Sequence, residues 1–158
     1  RPRPMWPTIG ASTVPSDPHT SMATSAGYSG TPLARKLGLQ PGFVVHLADA
    51  PPGYLELLAP LPSGLRFVPE MGIDVDLVHG FLTRRAALAD LLARARRMLP
   101  PDATLWVSWP KKASKVPSEV TEDTVRELAL PMGFVDVKVC AVDAVWSGLK
   151  LVVRKSLR

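Results

Sequence analysis

Lys111, Lys112 and Ser114 stand together directly after an apolar run, Leu105-Trp106-Val107-Ser108-Trp109. Two ammonium groups and a hydroxyl at the carboxyl end of a strand can hold an anion or a phosphate, each lysine acting as a point charge. The plainer alternative is a solvated basic loop. Trp109 and Trp146 can wall such a pocket, although a core indole sending its N–H to a partner is the more common role. Two acids, Asp49 and Glu70, each follow an apolar run, and the turn after the first of these reads His46-Leu47-Ala48-Asp49-Ala50-Pro51-Pro52-Gly53. His46 and His79 both fall within apolar segments and are expected to come near one another. A metal would need a third ligand, and neither a His-x-His spacing nor a nearby cysteine supplies one, so the expectation is hydrogen-bonded buried histidines and no metal. Cys140, the single cysteine, rules out an internal disulfide and reads as a small core or edge residue, with Lys138 the one neighbour able to lower its pKa. A Gly-x-Ser-x-Gly elbow and a Gly-rich Lys-Ser phosphate loop are both missing from the sequence.

The elements that must position these residues can be read from apolar period and punctuation. Thr31-Pro32 opens a short helix over 32–37, with Thr31 as its cap, and Gly38 closes it. Residues 43–48 are nearly continuous apolar, as expected of a strand covered on both faces. A helical turn over 54–58, a short strand over 65–68 and a strand over 73–82 follow. Thr83 caps a helix over 84–99 that puts Leu88, Leu91, Leu92, Ala95, Met98 and Leu99 on one face, with its arginines at the negative end of the dipole. A strand over 104–109 leads into the lysine loop. Thr121 caps the next helix, with Val120 and Val125 as a hydrophobic staple. Residues 134–142 and 146–154 form a terminal hairpin. Strands alternating with helices predict an α/β fold: a mainly parallel sheet of about six strands, with helices on both faces and a C-terminal antiparallel hairpin.

Length and composition bound the rest. A chain of 158 residues is the size of one ordinary domain and needs neither disulfide nor metal to be stable. Residues 1–30 are rich in Pro and Ser and are expected to be disordered, leaving residues 31–158 as the folded domain. Met22 is a candidate natural start. Hydrophobic residues make up 46% and aromatics 6%, so Leu, Val and Ala are expected to fill the interior. No apolar run reaches the roughly 20 residues of a membrane span, and no signal pattern opens the chain, so a cytoplasmic protein is expected. The net charge of +5, with one cluster at Arg94, Arg96 and Arg97 and another at Lys111, Lys112 and Lys115, suits a nucleic-acid or phosphate partner and equally an ordinary soluble surface. Aromatic interleaving, which single-strand binding needs, is poor.

The stretch Leu37-Gly38-Leu39-Gln40-Pro41-Gly42-Phe43-Val44-Val45 resembles the entry to the first strand of class I methyltransferases. The segment Ile73-Asp74-Val75-Asp76-Leu77-Val78-His79 is similar to the fourth strand of that family, whose seventh strand runs antiparallel as the hairpin here predicts. The resemblance implies a Rossmann-like fold and raises S-adenosylmethionine as a cofactor, with Asp49, Gly53 and Glu70 as its binding residues and Glu70 on the ribose hydroxyls. Gly53 is the only glycine left in a turn where the family needs several, and Pro51 and Pro52 remove two backbone donors. Weak or absent S-adenosylmethionine binding is therefore expected. Segments 105–114 and 142–152 are in turn similar to small bacterial proteins grouped as a domain of unknown function, a resemblance that implies a bacterial origin and no activity. The leading reading is a methyltransferase-like domain that binds a small molecule or protein partner. A methyltransferase with an atypical loop and a basic nucleic-acid-binding module are its rivals.

Overall fold

Apolar runs bounded by proline and glycine become the strands of one sheet. The computed structural model describes residues 31–158, so the segment read as disordered and Met22 lie outside the described residues. The chain divides after Thr31, and the unit Pro32–Arg158 holds α1 (Leu33–Leu37), β1 (Val44–Ala48), α2 (Tyr54–Leu58), β2 (Arg66–Val68), β3 (Leu77–Phe81), α3 (Arg85–Met98), β4 (Thr104–Pro110), α4 (Glu122–Ala129), β5 (Phe134–Ala141) and β6 (Trp146–Val153). This is the expected order of elements. The six strands lie in the order β2-β1-β3-β4-β6-β5. The first four pair in parallel, and β6 runs antiparallel to both β4 and β5.

Alternation along each strand sends successive side chains to opposite faces. One face carries Val44, Val78, Leu105, Val107, Leu149 and Leu151, packed under Leu88, Leu91, Leu92 and Ala95 of α3 and Val125 and Ala129 of α4. Each fully buried leucine there contributes roughly 1.5–3 kcal/mol. The other face carries Val45, Leu77, Phe81 and Trp106 beneath Leu37 of α1 and Tyr54 and Leu58 of α2. Helices thus cover both faces, unequally: α3 has 14 residues and α1 and α2 have five each. Two glycines permit this packing. A Cβ on Gly80 would overlap Leu91 Cδ2, and one on Gly148 would stand 3.0 Å from Ser108 Oγ and 3.3 Å from Trp106 Cε3.

Most boundaries shift by at most one residue, and three departures from the expectation stand out. The strand read over 73–82 begins only at Leu77, because Val75 closes a turn onto the Gly72 carbonyl and Asp76 uses its carboxylate to accept the Val44 N–H at 2.8 Å. Ile73 is left 86% exposed. The α1 cap is Pro32, one residue after the expected Thr31, with no side-chain hydrogen bond. Thr83 does not cap α3: Arg84 holds that position, and Glu119, 34 residues away, accepts the Arg85 N–H at 2.9 Å. The α4 cap is as expected, with Thr121 and Thr124 exchanging hydrogen bonds in a capping box. Among the described residues, no helix is long and apolar enough to cross a membrane.

Candidate functional site

Because β1 to β4 are parallel, the loops after them share one edge of the sheet. Asp49 follows β1, Glu70 follows β2, and Lys111 follows β4. The loops 49–53 and 109–114 therefore lie at the same edge, as the topology predicts, with β3 between them.

The β1 turn is tightly wound. Asp49 has a left-handed φ of 59° and Gly53 one of 85°. Gly53 starts α2, accepting the Leu57 N–H, while the Tyr54 N–H goes to the Pro51 carbonyl. Pro51 and Pro52 offer no donor. Asp49 and Glu70 are both exposed and form no ion pair among the described residues.

The β4 loop divides its candidates. Lys111 Nζ donates to the Asp143 carbonyl at 3.0 Å, tying the loop to the β5–β6 turn. Ser114 Oγ donates to the Lys111 carbonyl at 2.6 Å, closing a single helical turn. Of the three residues read as an anion clamp, only Lys112 has no partner among the described residues. It lines a cavity of about 240 Å³ with Trp109, Val116, Ser118 and Val120. A neighbouring groove is lined by Thr83, Arg84, Pro117, Ser118 and Glu119. The arginine cluster is likewise partly committed: Arg94 pairs with Asp90, and Arg96 donates to the Met132 carbonyl.

The histidines do not meet. His46 pairs in register with Val78, and Leu47 with His79, so alternation puts the two imidazoles on opposite faces. His46 Nδ1 donates to the Val68 carbonyl at 3.0 Å. His79 is fully buried and spans two elements: its Nδ1 lies 2.6 Å from the Tyr54 hydroxyl and its Nε2 lies 2.7 Å from Ser108 Oγ. It stacks on Phe81, which meets Trp146 edge-on. Burial pushes its pKa down to about 3 and raises that of Tyr54 well above the ordinary phenol. The imidazole is therefore neutral, one nitrogen accepting and the other donating, and two hydroxyls that can each do either satisfy both. Ser108 and His79 have the contact of a nucleophile and its base. Neither is accessible to solvent, so the chain of three holds α2, β3 and β4 together rather than meeting a substrate. Sequence reading found the buried histidine but missed Tyr54 and Ser108. The available signal was Ser108 itself, a hydroxyl two residues after Trp106 in an apolar strand.

Among the described residues no group of His, Cys, Asp and Glu could hold a metal. Burial pushes the Cys140 thiol pKa up against the opposing pull of Lys36 and Lys138, in keeping with its reading as a small core or edge residue.

Tyr54→Phe is expected to lower stability by about 1–3 kcal/mol, because it leaves His79 Nδ1 buried without a partner while changing almost no volume. Urea unfolding with an unchanged m-value checks this, and a loss within experimental error would mean that water replaces the hydroxyl.

No family model matches the chain, and no curated protein matches it in sequence. Solved structures do match its shape. A SAM-dependent methyltransferase from Aquifex aeolicus superposes with a TM-score of 0.59 at 14% identity over 87% of this chain and 94% of its own. A protein assigned as a type 11 methyltransferase from Sulfolobus solfataricus gives 0.57 at 12% identity over 78% and 90%. Aeropyrum pernix fibrillarin with natively bound S-adenosyl-L-methionine gives 0.53 at 11% identity over 84% and 74%. Taken with the strand order, these likenesses give the domain the Rossmann-like fold of class I methyltransferases.

Proposed function

We propose that this domain is a methyltransferase-fold binding protein that takes a small ligand at the carboxyl edge of its sheet without a backbone cradle for a nucleotide cofactor. The carrying observation is the β1 turn. Two of its residues are prolines, the Tyr54 N–H is spent on Pro51, and Gly53 is used to begin α2. A cofactor held by backbone amides would find no donor at Pro51 and Pro52 and a committed one at Tyr54. The ligand instead meets side chains, among which Lys112 is uncommitted.

A second reading, a S-adenosylmethionine-dependent methyltransferase, is favoured by Asp49 and Glu70. These two unpaired acids follow neighbouring strands, where ribose hydroxyls of the cofactor would reach them. Kinship with small bacterial proteins of unknown function is compatible with either reading. The committed arginines and Lys111 leave less basic surface for a nucleic-acid partner than the charge count suggests.

Titration calorimetry of the full chain with S-adenosylmethionine separates the two. Binding weaker than about 10 micromolar, which corresponds to about −7 kcal/mol, is the expected result. Tighter binding that is lost in Asp49→Ala and Glu70→Ala would replace the binding-protein reading with the enzyme.

A further inference from the structure

The cavity between the end of β4 and the loop that leads to the α4 cap has features that the general reading does not use. Its volume of about 240 Å³ is that of about eight water-sized bodies at the volume water takes in the liquid. Val116, Val120, Pro110 and Trp109 make its walls largely apolar. Its polar groups are mostly occupied: Ser118 exchanges hydrogen bonds with the backbone of Val120, and Thr121 with Thr124. Two are not. Lys112 has no partner among the described residues. Trp109 is 7% exposed, and its indole N–H also has no partner among them. Trp106, by contrast, donates its indole N–H to the Leu37 carbonyl at 2.9 Å. Buried donors are almost always paired, so one left open beside a cavity points to an absent acceptor.

We infer that this cavity binds a small organic monocarboxylate, its apolar body against Val116 and Val120 and its carboxylate shared between the Trp109 indole N–H and the Lys112 ammonium. This rests on the proposed ligand binding at the carboxyl edge and gives that ligand a chemical class. One cation and one neutral donor match a single carboxylate. A phosphate dianion would need more donors than the cavity offers, and Glu119 in the adjoining groove opposes a second negative charge.

The test follows the indole signals of the 15N-labelled full chain by NMR, with Trp109 identified by the signal lost in Trp109→Phe. Benzoate is the probe, with benzyl alcohol as its neutral counterpart and inorganic phosphate as a general anion. A saturable shift of the Trp109 signal with benzoate alone is expected, and Lys112→Ala should weaken it about fivefold, the effect of one partly exposed charge. Lys112→Arg should retain most of the binding. An unmoved signal, an equal shift with benzyl alcohol or phosphate, or an unaffected Lys112→Ala overturns the proposal. Benzoate shifts confined to residues 49–53 and 70 would remove this site while leaving binding at the carboxyl edge intact. Tight S-adenosylmethionine binding with benzoate still seated at Trp109 would remove the reading of the β1 turn and support this site.

Discussion

Leu91→Ala is expected to lower the unfolding free energy by about 2–5 kcal/mol, the range for removing a leucine from a packed interior. Leu91 is 1% exposed on the inner face of α3, and its Cδ2 occupies the space where a side chain on Gly80 of β3 would begin. Helix and strand are in contact at that point, so little can collapse into the gap. The same contact makes Gly80→Ala costly, by about 1–3 kcal/mol, as an overpacked core. Together the two changes should be less harmful than their sum, because the new methyl enters the volume that leucine vacates, and a coupling of about 1 kcal/mol or more is expected. Urea unfolding of the two single variants and the double variant measures it. Strict additivity would show that Leu91 is not seated over Gly80.

Acid should weaken the fold well before carboxylates titrate. The folded-state pKa of His79 is depressed to about 3, against an ordinary value near 6.5 in the unfolded chain. Between these values the unfolded chain binds a proton that the folded chain refuses. Stability is therefore fully present above about pH 6.5 and falls as pH is lowered, at up to about 1.4 kcal/mol per unit, until about pH 3. Asp136, held below its usual value by Arg126, and Glu127, held down by Arg85, add losses of the same sign only in the carboxylate range. The interval from pH 6.5 to 5 thus reports on the imidazole, and about 2 kcal/mol should disappear across it. Denaturant curves at several pH values test this, with His79→Gln expected to flatten the slope. Equal stability at pH 5 and pH 7 in the unaltered protein would contradict a neutral, buried His79.

The fold and the candidate site differ in how much of each is legible in the sequence. The order and type of every element could be read from apolar period and from Pro and Gly, because these act within a few residues. Ile73 misled because it continues an apolar alternation that a turn at Gly72–Val75 interrupts. The cap of α3 was not legible, since Glu119 reaches it from 34 positions away. The tie of Lys111 was not legible for a similar reason: the carbonyl that accepts its hydrogen bond belongs to Asp143, 32 residues later. The faces of His46 and His79 depend on the pairing of Leu47 with His79, and no single strand contains that register. Local chemistry reads forward from sequence, whereas the commitment of a charged side chain depends on partners brought by the fold.

The place of β6 in the sheet bears on how the chain is built. It follows both β4 and β5 in the chain and so leaves the ribosome after them, yet it lies between them. During synthesis β5 emerges with no neighbour to pair with, its Val137 and Val139 exposed even in the finished fold, while the outer edge of β4 also remains open. Two unsatisfied strand edges invite pairing with other chains. The eight residues of β6 end that interval at one stroke, joining both edges. An interruption at residues 142–145 would therefore do more than shorten the sheet from its rim: it would detach β5 and leave β4, with its central tryptophan, as a new sticky border.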